Sequence, residues 1–185
     1  MRLSSGPAAG LIAALAGCGG APIPLPTDGA GCDPTADLDR ARAATERYLD
    51  PAVAASDGYL PQPTCDQDER GAAMGIHYVR IPESLDQALD LEAPDVLLYL
   101  PDGDGVALGG IEYVAPALVD GAPVFEPPAD EATFDVAPEL FCRPFDGPME
   151  GHVAGQPWHH DLHVWLYVDN PDGLFAPYNP AADCG

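Results

Sequence analysis

Two hydrophobic periods divide the chain. Leu38, Ala41, Thr45, Tyr48, Leu49 and Ala52 recur at spacings of three and four, the stripe that one face of an α-helix turns to a core. Asp33-Pro34 opens this segment: Asp is a favoured N-cap, and proline fits a first helical position where no amide donor is needed. Asp50-Pro51 predicts a kink or break, because proline removes a donor and disfavours helical geometry in the residue before it. A second short helix over Pro51–Ser56 then ends at Gly58.

After a loop carrying Cys65 the period falls to two. Met74–Val79 predicts a strand with His77 on the face opposite Ile76 and Tyr78. Ser84–Leu91 predicts a short helix, and Asp95–Leu100, the turn Pro101–Gly105 and Val106–Val114 form the clearest hairpin, with a bulge or sharp twist at Gly109-Gly110 and Glu112 beyond it. Ala115–Leu140, rich in proline and acidic residues, predicts irregular surface chain with one short strand around Val124-Phe125. Arg143–His152 predicts another loop, too rich in Gly and Pro for regular structure. It leads into Trp158–Val168, an aromatic and β-branched run that reads as a strand, and Asn170–Gly173 then turns the chain back through Phe175, Tyr178 and Cys184. The sum is an α+β domain: an N-terminal helical region followed by a mostly antiparallel sheet of four or five short strands, with curling of that sheet left open.

Four of the five histidines fall between His152 and His163. On a regular strand His159, Asp161 and His163 share one face and His160 takes the other. At roughly 3.3 Å per residue, His159 and His163 stand about 13 Å apart along a flat strand, too far to bind one ion together. A single site therefore needs a bulge near His159 or donors from neighbouring strands, and His77 and Glu112 are the two candidates. Together with His163 they could meet round a Zn or Cu ion, with Asp161 orienting an imidazole. Were the segment helical, His159 and His163 would chelate directly. The candidate pocket is thus His77, Glu112, His163, Asp161, His159 and His152.

Met1–Gly17 carries Arg2 and then a short apolar core, too short to span a bilayer and laid out like a secretory signal. Leu15-Ala16-Gly17-Cys18 resembles the bacterial lipobox, which implies cleavage before Cys18 and acylation of that residue. Residues 18–31, with Pro22, Pro24 and Pro26 alternating, read as an extended tether, and 32–185 as a single domain large enough for a real core. The expected location is the outer face of a bacterial membrane or the periplasm, with contact to the membrane through the lipid.

Removing Arg2 from the seven basic residues leaves six against thirty acidic ones, a charge of −24, and the chain has no Lys. Nucleic acid and anionic membrane surfaces would both be repelled. With Cys18 assigned to lipid, Cys32, Cys65, Cys142 and Cys184 are an even number in an exported chain, which predicts two disulfides with three possible pairings. Their spacing does not suit a zinc-thiolate site. Only Ser56 and Ser84 follow the signal, neither in a nucleophile-elbow setting, which argues against covalent catalysis. Asp102–Gly105 lacks the further ligands of a calcium loop and is better explained as a turn.

The series Met74-Gly75-Ile76-His77-Tyr78, Gly110-Ile111-Glu112-Tyr113, Phe145–Met149 with Gly151-His152, and His159–Leu166 through Asn170–Gly173 resembles a family of uncharacterised exported bacterial proteins. The resemblance runs over most of the mature chain and implies no particular activity. Members carry Cys near the positions of Cys65 and Cys184, which implies that pair and leaves Cys32 with Cys142. Asp50-Pro51 departs from the unbroken helix of the family.

The leading expectation is a lipid-anchored extracytoplasmic protein that binds a transition metal or a small ligand without catalysis. The alternatives are a metal-assisted or acid-base hydrolase of the cell envelope, and a structural envelope module with no active site.

Overall fold

In the computed structural model, residues 33–80, 88–126, 134–152 and 155–185 are described. The expected signal, the tether and Cys32 lie outside them, as do Ser84–Gln87 of the expected second-region helix; Ala88–Leu91 is not helical.

The N-terminal region is α1 (Thr35–Thr45), a 3₁₀ turn (Glu46–Leu49) and α2 (Pro51–Ser56). Asp33 Oδ1 accepts the Thr35 N–H at 3.0 Å, and the break falls at Asp50, whose Oδ1 caps α2 by accepting the Ala52 N–H at 2.9 Å. The proline that ends one helical segment therefore begins the next, where its missing donor costs nothing.

The main sheet is antiparallel and larger than expected. Its six strands run β1 (Leu60–Gln67), β2 (Ala73–Val79), β3 (Val96–Asp102), β4 (Gly105–Pro116), β10 (His159–Val164) and β9 (Asp146–Met149), in that order across the sheet. Two small ribbons, β5–β6 (Leu118–Val119, Ala122–Pro123) and β7–β8 (Glu139–Leu140, Arg143–Pro144), flank it. The two strands that the sequence pattern reads as loops, β1 and β9, are the two edges. An edge strand leaves one row of amides unpaired, so Pro61 and Pro63 in β1 and Gly147-Pro148 in β9 are tolerated where a central strand would exclude them. The expected strand at Val124-Phe125 lies slightly earlier, at Ala122–Pro123.

The hairpin β3–β4 carries the expected bulge. Leu98 faces Gly110 and Tyr99 faces Leu108, leaving Gly109 as the extra residue. A Cβ at Gly110 would stand 2.8 Å from the Val164 carbonyl, and at Gly75, with φ +106°, 2.7 Å from the Tyr99 carbonyl. Both glycines let neighbouring backbones approach where any side chain would push them apart.

Strand alternation sorts the side chains. Leu97, Tyr99, Ile111, Tyr113, Leu162 and Val164 join Ala41, Tyr48, Ala54 and Tyr59 in the main apolar core between sheet and helices. Buried Tyr59 and Tyr113 donate to the Pro94 and Leu91 carbonyls at 2.6 Å, so the hydroxyls enter the core satisfied. The other face carries Val96, Leu98 and Val114, and with them the polar residues of the site. The Cys65–Cys184 disulfide ties edge strand β1 to the tail, where Asn179 also bridges the backbone of Ala73. Cys142 is disulfide-bonded as well.

Candidate metal centre

β2, β4 and β10 each supply one donor. His163 lies directly opposite Glu112 in the β10–β4 register, and His77, opposite Leu98, projects from the same face two strands from β4. Flat strands two apart would be about 9.6 Å from one another. In the curled sheet His77 Nε2 and Glu112 Oε2 nonetheless stand 3.5 Å apart. His163 Nε2 stands 4.0 Å from the same oxygen, and the three donor groups lie within 4.8 Å of one another.

All three are buried: His163 is 0%, Glu112 3% and His77 6% exposed. Among the described residues, His77 Nε2, His163 Nε2 and Glu112 Oε2 have no hydrogen-bond partner. Each orphaned atom costs about 1–3 kcal/mol, since buried polar groups are normally paired. A tetrahedral ion with bonds near 2.0–2.1 Å sets its donors about 3.4 Å apart. One of the two measured separations already matches, and the other closes by about half an ångström.

Both imidazoles point the same way. Behind His77, Nδ1 faces Asp66 Oδ2 at 3.3 Å; behind His163, Nδ1 faces Asp161 Oδ1 at 3.7 Å. Two Nε2 atoms converge on one carboxylate while the two Nδ1 atoms lie near carboxylates without hydrogen bonds to them, close to but short of the bonded arrangement that orients metal-bound histidines. The group can hold a metal ion.

His159 and His152 stand apart from these three. Their rings pack edge to face with centroids 4.9 Å apart, His159 buried at the start of β10 and His152 exposed in the β9–β10 loop. His160 is turned to the other face, as alternation requires, and lines a small cavity with Leu89, Leu118, Val136 and Pro138.

Two residues escape the sequence pattern. Asp66 follows Cys65 in a stretch that reads as loop, and only the pairing of β1 with β2 sets it behind His77. Asp146, in the Gly/Pro-rich segment, pairs directly with Asp161 across β9–β10. The one available signal was the Cys65 disulfide, which holds Asp66 near structured chain. No protein-family model, curated protein or solved structure matches the chain.

Burial dominates the electrostatics. It holds the His163 pKa down at about 3, helped by His77, His152 and His159, and that of His159 at about 4, helped by His152. His77 is lowered by burial against the opposing pull of Asp66. Burial, then Asp161, Asp95 and Asp66, pushes Glu112 well above the usual carboxylate range, and burial with Asp146 raises Asp161 to about 7. Without a cation, this face therefore favours neutral imidazoles and protonated carboxyls.

The sign for Asp161 follows from linkage. A raised folded pKa contributes stability below the unfolded value of 3.8 that is lost as pH rises through about 7. For His163 and His159 the folded pKa is depressed, so their contribution is present above 6.5 and lost as pH falls toward about 3 and 4. In metal-free protein, Asp161→Asn should remove the loss between pH 4 and 7 and leave the histidine-linked loss on the acid side. The gap between variant and wild type should grow with pH to at most about 4 kcal/mol. Urea unfolding across this pH range measures it, and parallel curves for the two proteins would contradict the assignment.

Proposed function

We propose that this is an exported, lipid-anchored protein whose β-domain binds one divalent transition-metal ion, Zn or Cu, without catalysis. The ion takes Nε2 of His77 and His163 and the carboxylate of Glu112, with Asp66 and Asp161 behind the two rings. The observation that carries this reading is the pair of imidazoles aimed at one orphaned Glu112 oxygen, each backed by a carboxylate. Imidazole and carboxylate donors suit Zn and Cu, and no thiolate takes part in the group. The secretory layout and the Leu15–Cys18 lipobox support a place outside the cytoplasm, where the Cys65–Cys184 disulfide can persist.

A metal-assisted hydrolase is the second reading, favoured by one feature: three protein donors leave a fourth position for water or substrate. Donors exposed by 6% or less argue for holding the ion over turning over a substrate. Elemental analysis of protein purified without a histidine tag should find about one equivalent of Zn or Cu per chain. Metal-free protein that takes up neither ion on dialysis would overturn both readings.

A further inference from the structure

We propose that the cavity beside His160 binds a small uncharged molecule with an apolar body and one hydroxyl group, about the size of phenol. The site lies on the opposite face of β10 from His163 and is separate from the metal donors.

The cavity extends the apolar core. Ala115, a core residue, pairs with His160 across β4–β10, and Leu89 and Leu118 wall the space beside them. Its volume is about 190 Å³. Apolar cavities of about 150 Å³ take up benzene, whereas sites for drug-sized molecules run to about 300–1,000 Å³. One six-membered ring with a single substituent is the scale that fits. Val136, 98% exposed, stands at the rim and leaves the space open to solvent.

Among the described residues, two polar side chains line the cavity, and they sit at different depths. His160 is 4% exposed, and its Nδ1 has no hydrogen-bond partner among those residues. Nδ1 packs against β9, where a Cβ on Gly147 would stand 3.1 Å from it, which leaves the Nε2 edge of the ring toward the cavity. Burial lowers the His160 pKa against the opposing pull of the Asp146 carbonyl, so the ring is neutral at pH 7. A neutral imidazole has one N–H and one lone pair, and a hydroxyl, donor and acceptor at once, can answer either.

Asp135 is exposed at the mouth. Its Oδ2 accepts the Gly121 N–H at 3.0 Å and its own N–H donates to the Leu118 carbonyl at 2.8 Å, which pins this wall to the β5–β6 ribbon. Its carboxylate, on a strongly acidic chain, disfavours an anionic ligand. An ordered water needs about two to four polar partners, and at this depth His160 is the one that lines the space. Displacing so poorly held a water by an apolar ring gains affinity.

The test titrates the full chain with phenol, toluene and benzoate while following the histidine ring signals by NMR. Phenol should shift the His160 signal saturably and leave those of His77 and His163 unmoved, and benzoate should not compete. In His160→Leu the ratio of phenol to toluene affinity should fall by about tenfold or more, because the hydroxyl is left without its partner. Leu118→Trp, which fills the cavity from the β5–β6 ribbon, should abolish phenol binding with metal uptake unchanged. No saturable response of His160 up to about 10 mM phenol overturns the proposal. So does phenol binding that survives Leu118→Trp, an unchanged ratio in His160→Leu, or benzoate competing on equal terms. The wild-type titration and Leu118→Trp decide the matter even if His160→Leu does not fold.

Discussion

Replacing His163 with alanine should abolish stoichiometric metal binding, lowering affinity by more than about 100-fold, since even disturbing the groups behind a metal-bound histidine costs 10–100-fold. At a free ion concentration about 100 times the dissociation constant, binding stabilises the wild type by about 2.7 kcal/mol. For a domain of this size that is a rise of about 5–10 °C in Tm, which the variant should lack. Glu112→Gln separates ligation from packing because its two effects have opposite signs. Metal binding is lost with the charge, yet the metal-free protein becomes more stable near neutral pH. The sign follows from the raised folded pKa: the stabilising contribution of Glu112 is present at low pH and lost as pH rises, and an amide carries no such loss. Calorimetric Tm with and without Zn reads both effects. A Glu112→Gln protein that is destabilised without metal and still gains the wild-type increment with it would sink the metal reading.

Removing the Cys65–Cys184 bridge should cost about 5 kcal/mol on the chain-entropy account, because the residues it joins are 119 apart in sequence. Cys65→Ser/Cys184→Ser avoids disturbing the bonded Cys142, and its Tm should fall by about 10–20 °C. The loss has a local consequence. Cys65 precedes Asp66, and β1 is an edge strand paired with β2 and tied to the tail by this bridge, so Asp66 loses its fixed place behind His77. Metal affinity in the double variant should fall by about 10–100-fold, the range for removing a carboxylate that orients a metal-bound imidazole. Asp66→Asn should reproduce the affinity loss without the loss of stability. A double variant with wild-type Tm and wild-type affinity would remove the disulfide from any part in the site.

Local chemistry made several parts of this molecule legible in the chain alone. The Asp50-Pro51 break, the β3–β4 hairpin with its bulge, and the opposite faces of His160 and of His159, Asp161 and His163 all follow from proline stereochemistry, turn residues and a period of two. So did the choice of His77 and Glu112 as partners for His163, because the distance along one strand excluded His159. The strand count fell short for a definite reason: β1 and β9 contain the residues that break central strands, and nothing local says that a segment will be an edge. The convergence itself was decided by tertiary structure. Pairing β4 with β10 sets Glu112 opposite His163, and the sheet order β2-β3-β4 lets His77 reach across β3 to the same carboxylate. Register and curvature are long-range properties of packed strands, and so is the position of Asp66 behind His77, whereas Asp161 beside His163 follows from their shared strand face.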